Sequence, residues 1–212
     1  MIKRRRFPWR NWRPSSATGS PSEERRAGAA CALAFGLLLI GAPVAADADH
    51  GTLRAALADA LAEPDTFEDR YAAEVWLVDM AHRLRHRIPD EAERIRLLRK
   101  VHQEAARVDL PPEVVLAVIQ VESNFDRFAI SVAGAQGLMQ VMPFWLEELG
   151  RPDDNLFDLR TNLRMGCTIL RHYLDRERGD LTRALARYNG SFGQTWYPER
   201  VYQALNTRWA AR

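Results

Sequence analysis

Along most of this chain apolar residues recur at three- and four-residue intervals, and after Asp47 no stretch sustains the apolar/polar alternation of a half-buried strand. The pattern predicts a short helix over 52–61, ended by Pro64, and a longer one over 67–87, stopped by Pro89. In the longer helix, Tyr71, Val75, Val78 and Leu84 fall near one face. Asp90 is placed to cap the next helix, which runs to about Val108 with Ile95, Leu98, Val101 and Ala105 on its apolar stripe. Pro111-Pro112 opens a helix over 113–123, since proline fits a first turn. A loop with Gly134 and Gly137 follows, and then helices near 138–149, 162–177, 181–188 and 198–209. The expected fold is all-α: a compact domain over 109–212 preceded by a helical extension over 47–108.

The first 46 residues follow a different rule. Arginines come first, then an uncharged run whose apolar core is Ala29 to Ile40, then the small residues Val44-Ala45-Ala46. Basic, apolar, small is the order of a secretory signal. The core is about 12 residues, short for a bilayer span of roughly 20, though adding the residues up to Ala46 reaches that length. The expectation is therefore export through a signal peptide, or an N-terminal membrane anchor if the segment is retained. The expected location is the periplasm or cell envelope.

Charge follows the same division. The 212 residues carry a formal net charge of +2. The first 46 hold eight Lys/Arg against Glu23 and Glu24, which leaves the remainder at −4. The basic character belongs to the tail, so a nucleic-acid partner is not expected. Beyond that tail Cys167 is the lone cysteine, in a periodic apolar stretch, and reads as a buried, inert small hydrophobe. His82 and His86 have the i, i+4 spacing of a metal pair. They are separated by Arg83-Leu84-Arg85 and followed by Arg87, so a solvated face is expected and no metal. Arg94, Arg96, Arg99 and Lys100, interleaved with Glu91 and Glu93, read as another wet face.

One carboxylate stands out. The segment Glu113–Ser123 is apolar nearly all round, as befits a central helix, and Glu122 lies one turn beyond Val118 and Ile119 on their stripe. Desolvation there raises a carboxyl pKa toward neutrality and makes it a proton donor; the alternative is a helix-end Glu that reaches solvent or pairs with Arg127. Shortly after, the run from Ser131 to Pro143 is rich in small residues and holds Gln140 and Met142, an amide and a thioether suited to sugar hydroxyl or acetamido groups and to a pyranose face. Tyr188-Asn189-Gly190 ends an amphipathic helix with polar groups at a glycine break.

These blocks resemble the soluble lytic transglycosylases of the goose-type lysozyme-like superfamily. The likeness rests on Glu122-Ser123-Asn124-Phe125, on Ser131 with Gly134-Ala135-Gln136-Gly137-Leu138-Met139-Gln140-Val141-Met142-Pro143, on Asn162, Gly166, Leu170 and Tyr173-Leu174, and on Tyr188-Asn189-Gly190. It spans about 109–205. Gly190-Ser191 departs from the Ala-Gly more usual at that point, which bears on subsite preference. The resemblance implies a lysozyme-like helical fold and cleavage of the MurNAc-β-1,4-GlcNAc bond of peptidoglycan glycan strands, with 1,6-anhydro-MurNAc ends. It implies no metal and no organic cofactor. Glu122 becomes the acid/base, and Ser131, Gln140, Met142, Tyr188 and Asn189 become substrate contacts, with Tyr188 also a hydrogen-bond partner near Glu122.

Two rivals follow from the same residues. A hydrolase on this fold needs a second carboxylate to activate water; Asp126, Asp153, Asp154 and Asp158 are near enough in sequence but read as capping or solvated groups. A non-catalytic wall-binding scaffold is opposed by the intact Glu122. Trp145, Trp196 and Tyr197 are read as core or cleft wall, with sugar stacking as the alternative.

Overall fold

The computed structural model describes residues 44–62 and 70–210. The expected signal segment over 1–46 therefore lies outside the described residues, apart from its last three positions. Among the described residues eight α-helices follow one another: α1 Val44–Ala62, α2 Arg70–Leu84, α3 Glu91–Arg107, α4 Pro112–Glu122, α5 Phe144–Glu148, α6 Leu159–Arg176, α7 Leu181–Tyr188 and α8 Trp196–Ala204. A wider π-type turn, Leu205–Trp209, continues α8. Among the described residues there is no strand, only the isolated bridges Ile130–Gln136 and Gln136–Val141. The fold is all-α.

The helix boundaries follow from end chemistry. Asp90, Asp158 and Asp180 each accept a bond from the backbone N–H three residues on, capping α3, α6 and α7. Pro112 begins α4, where a missing N–H removes nothing from the ladder. Val114 to Ile119 are all buried, so α4 is the central rod; α3, α8 and the terminal turn pack around it. Next to α3 lies α6, which also receives α1 and α7.

Three expectations are corrected here. In α2, Val75 and Val78 are 76% and 72% exposed; the inward stripe is Trp76, Met80 and Leu84, set four apart. The helix expected over 138–149 shrinks to α5. Gln140 sits at φ +49, Gln136 and Val141 exchange backbone bonds at 2.9 and 3.0 Å, and Pro143 lacks an N–H. Loop pairing has overridden helical spacing there. At the other end, α1 begins at Val44 rather than Thr52, since no proline lies between Pro43 and Pro64.

A buried charge cluster joins α3 to α6. Glu104, with no exposed surface, takes the Arg164 guanidinium on both oxygens (Nε at 3.1 and 3.0 Å) and Arg107 Nε at 2.9 Å. Arg107 also donates to Thr168 Oγ1 at 2.6 Å. Every charge here has a directed partner, which is the condition under which ions persist in a core.

Candidate active site

Glu122 is the last residue of the buried rod α4. Its carboxyl accepts the Tyr197 hydroxyl at 2.6 Å and is hydrogen-bonded by the side chain of Asn189. Burial lifts its pKa from the ordinary 4.5 to about 7, against both hydrogen bonds, which favour the carboxylate. The residue nonetheless keeps part of its surface open to solvent. The carboxyl is thus largely desolvated, protonatable near neutrality and reachable.

The two phenols divide their work differently from the expectation. Tyr197 from α8, 1% exposed, is the partner of Glu122. Tyr188, at the end of α7, instead donates to the Met139 carbonyl at 2.6 Å. Burial raises both phenol pKa values, and the nearby Glu122 charge adds to it, so both remain neutral donors. Sequence reading placed Tyr197 in the wall; nothing in its neighbourhood points to a carboxylate 75 positions away.

The loop after α4 is held from several sides. Ser123 Oγ donates to the Leu138 carbonyl at 2.9 Å, pinning the end of α4 to the loop. Asn162, 1% exposed, accepts from Met139 N–H at 2.8 Å and donates to the Gln136 and Leu156 carbonyls at 2.9 and 2.8 Å. Gly137 lies at φ +76, and a Cβ there would meet Asn162 Nδ2 at 2.4 Å. Gly166 lets α6 approach Met139, whose Sδ would stand 2.5 Å from an added Cβ.

Of the expected contacts, Asn189 is brought to Glu122. Gln140 donates its amide to the Ala129 and Gly137 carbonyls at 3.1 and 3.0 Å, and Ser131 Oγ accepts from Ala135 N–H at 3.0 Å. Both side chains therefore brace the loop. Met142 is partly exposed beside Pro143. The rival carboxylates are engaged elsewhere: Asp126 accepts from Phe128 N–H at 2.9 Å, Asp154 pairs with Arg151 at 2.6 Å, Asp158 caps α6, and Asp153 is exposed.

The side-chain hydrogen bonds of the Glu122 carboxyl come from Tyr197 and Asn189, not from the remaining residues singled out in the sequence. Trp145 is buried, whereas Trp196 is 43% exposed and meets the Tyr197 ring edge-on at 5.9 Å. Cys167 is fully buried, its thiol pKa pushed up by desolvation. His82 and His86 both contact Arg85, and among the described residues no His/Cys/Asp/Glu group is arranged to hold a metal.

Residues 100–209 match the family model described as the transglycosylase SLT domain. The chain is 37% identical over 109 residues to a transglycosylase of Enterobacteria phage PRD1, covering 48% of this chain and 40% of that protein. It is 34% identical over 118 residues to membrane-bound lytic murein transglycosylase F of Desulfosudis oleivorans, covering 51% and 26%. With membrane-bound lytic murein transglycosylase C of Histophilus somni it shares 32% over 145 residues, covering 53% and 40%. The chain thus spans well under half the length of these relatives.

Proposed function

This chain belongs to the transglycosylase SLT domain family, and from that premise we propose that it is an exported peptidoglycan lytic transglycosylase with Glu122 as its single acid/base. The observation that carries the reading is the Glu122 carboxyl, desolvated to a pKa of about 7 at the end of a buried helix and hydrogen-bonded by Tyr197 and Asn189.

In the proposed reaction Glu122 gives its proton to the glycosidic oxygen between MurNAc and GlcNAc as the C1–O bond breaks. The acetamido carbonyl of the same MurNAc stabilises the cationic carbon, which makes a second protein carboxylate unnecessary. Glu122, now ionised, takes the proton of the sugar's 6-hydroxyl, whose oxygen closes on C1. The product is a 1,6-anhydro end, no water is consumed, and the carboxyl is protonated again. A pKa near the working pH suits a group that must both give and take a proton. Tyr197 and Asn189 hold the carboxyl in place in both states.

Around this centre, Asn189, Met142 and the braced loop of Ser131 and Gln140 line the approach for the glycan, with Tyr188 fixing Met139 beneath them. Residues 109–212 form the catalytic unit in this reading and 47–108 its helical extension. The basic-apolar-small order of the first 46 residues directs the protein to the cell envelope. Among the described residues no helix is long and apolar enough to cross a membrane.

Digestion of purified peptidoglycan, followed by mass analysis of the fragments, tests the proposal. Anhydro-ended muropeptides are the expected product. Reducing ends would make the protein a hydrolase, and an undigested wall would make it a scaffold.

A further inference from the structure

Directly after Glu122 the chain takes an unfavourable path. Asn124 and Phe125 stand at φ +49 and +71, two successive non-glycine residues in left-handed conformations. Such a conformation is unfavourable for L side chains, less so for Asn than for a bulky one such as Phe, and persists only where surrounding contacts impose it. Those contacts come from the turn after α2 and from the terminal turn. Arg87, in the turn after α2, donates from Nε to Asn124 Oδ1 at 2.8 Å, and its guanidinium carbon stands 5.9 Å from the centre of the Phe125 ring. Phe125 also meets Trp209 (ring centres 5.4 Å apart), and the Trp209 indole donates to Gln120 Oε1 at 2.9 Å. Arg83, one turn before Arg87, secures that terminal turn through the Arg208 and Ala210 carbonyls at 2.8 and 2.9 Å. Gln120 and Phe125 bracket Glu122 in sequence.

We propose that Arg87, which lies outside the family-matched segment, is a positioning residue that holds the strained Asn124-Phe125 turn and through it the orientation of Glu122. The helical extension thereby completes the active site while supplying no group to the reaction. Arginine suits the task because one planar side chain serves a directed hydrogen bond and an aromatic ring together; lysine offers a point charge on a flexible stem. The guanidinium is held there although burial and the neighbouring Arg208 charge both lower its pKa.

The inference rests on the proposed activity only for its kinetic readout, so the test has two arms on the full chain. Hydrogen exchange reads the Ser123 and Asn124 amides, which donate to the Ile119 and Gln120 carbonyls at 3.0 and 3.2 Å. Arg87→Ala is expected to speed their exchange about tenfold while leaving α6 unchanged. In glycan-strand turnover, the same variant is expected to lower kcat about tenfold with KM within twofold, since misplacement of a reacting group acts on the chemical step. Arg87→Lys should recover little of either. Arg87→Ala combined with Asn124→Gly, which removes the strain at φ +49, should recover part of kcat. Unchanged exchange at Ser123 and Asn124 overturns the proposal, as does a kcat loss accompanied by faster exchange throughout α6. Faster local exchange in a protein whose wild type cuts no glycan would sustain the positioning role and refute the activity instead.

Discussion

The hydroxyl of Tyr197 donates to Oε1 of Glu122 at 2.6 Å, joining the start of α8 to the end of α4. A donated bond favours the ionised carboxylate, so Tyr197 partly offsets the desolvation that lifts the Glu122 pKa to about 7.

Tyr197→Phe should therefore move the Glu122 pKa further up. In the proposed reaction the resting carboxyl must be protonated, and the wild-type rate falls as pH rises through about 7. The variant should lose rate at its optimum, about tenfold, because the carboxyl is less firmly held, while its alkaline limb shifts to higher pH. A kcat/KM profile between pH 5 and 9 reads both effects. An alkaline limb that stays in place or moves down would remove Tyr197 from control of this proton.

The same carboxyl links stability to pH. Its folded pKa of about 7 lies above the ordinary 4.5, so the protonated form is the one the fold accommodates. The stabilisation is complete below about pH 4.5 and is lost as pH rises through about 7. Glu122→Gln keeps the shape and removes the titration. It should match the wild type near pH 4 and exceed it at pH 8 by on the order of 2 kcal/mol, allowing for the partial solvent exposure of the residue. That corresponds to a Tm gain of about 5 °C in a domain of this size, together with a loss of turnover of about a hundredfold or more. Thermal melts at the two pH values check the sign: a gain at pH 4 and none at pH 8 would contradict it.

How much of this was legible beforehand follows from the range of each interaction. The α4 rod, its proline start and the aspartate caps of α3 and α6 depend on neighbours within a few residues, and the sequence displays them. The desolvation of Glu122 follows from its own helix stripe and was one of two readings open there, the other being a helix-end Glu that reaches solvent or pairs with Arg127. The 138–143 segment was not. Its helical spacing is opposed by the Gln136–Val141 pairing and by Asn162, which lies more than 20 residues on. Tyr197 was missed for the same reason: the aromatic cluster Trp196-Tyr197 looks like packing, and its hydroxyl acquires a role only when α8 folds against α4. In α2, both Val75 and Trp76 offered an apolar face, and packing against α3 chose the one with Trp76 and Met80.

The Glu104 cluster predicts a stability effect remote from the site. Glu104→Ala strips the buried Arg164 guanidinium, 1% exposed, of its carboxylate and should cost about 3–5 kcal/mol in urea unfolding. Glu104→Gln, which retains an acceptor, should cost less. Replacing Glu104 and Arg164 together with Leu and Met should recover much of the loss, because the desolvation penalty disappears with the charges. Below its unfolding transition each variant should keep the pH profile of the wild type.

A close approach between α6 and the loop gives the last test. Gly166 on α6 faces Met139, and a methyl group there would meet Met139 Sδ at 2.5 Å and Cβ at 2.7 Å. The second contact is the serious one, since Cβ moves only with the backbone. That backbone carries the carbonyl that accepts Tyr188 and the N–H that Asn162 receives. Gly166→Ala gains helix propensity but forces α6 and the loop apart, for a net cost of about 1–3 kcal/mol. Because the displaced loop is pinned to α4 by Ser123, turnover should fall as well, even where the protein is fully folded. Met139→Ala relieves the Sδ contact and leaves Cβ in place, so a double-mutant cycle should show coupling that covers only part of the Gly166→Ala cost. Complete relief would mean that the side chain of Met139 alone sets the distance between α6 and the loop.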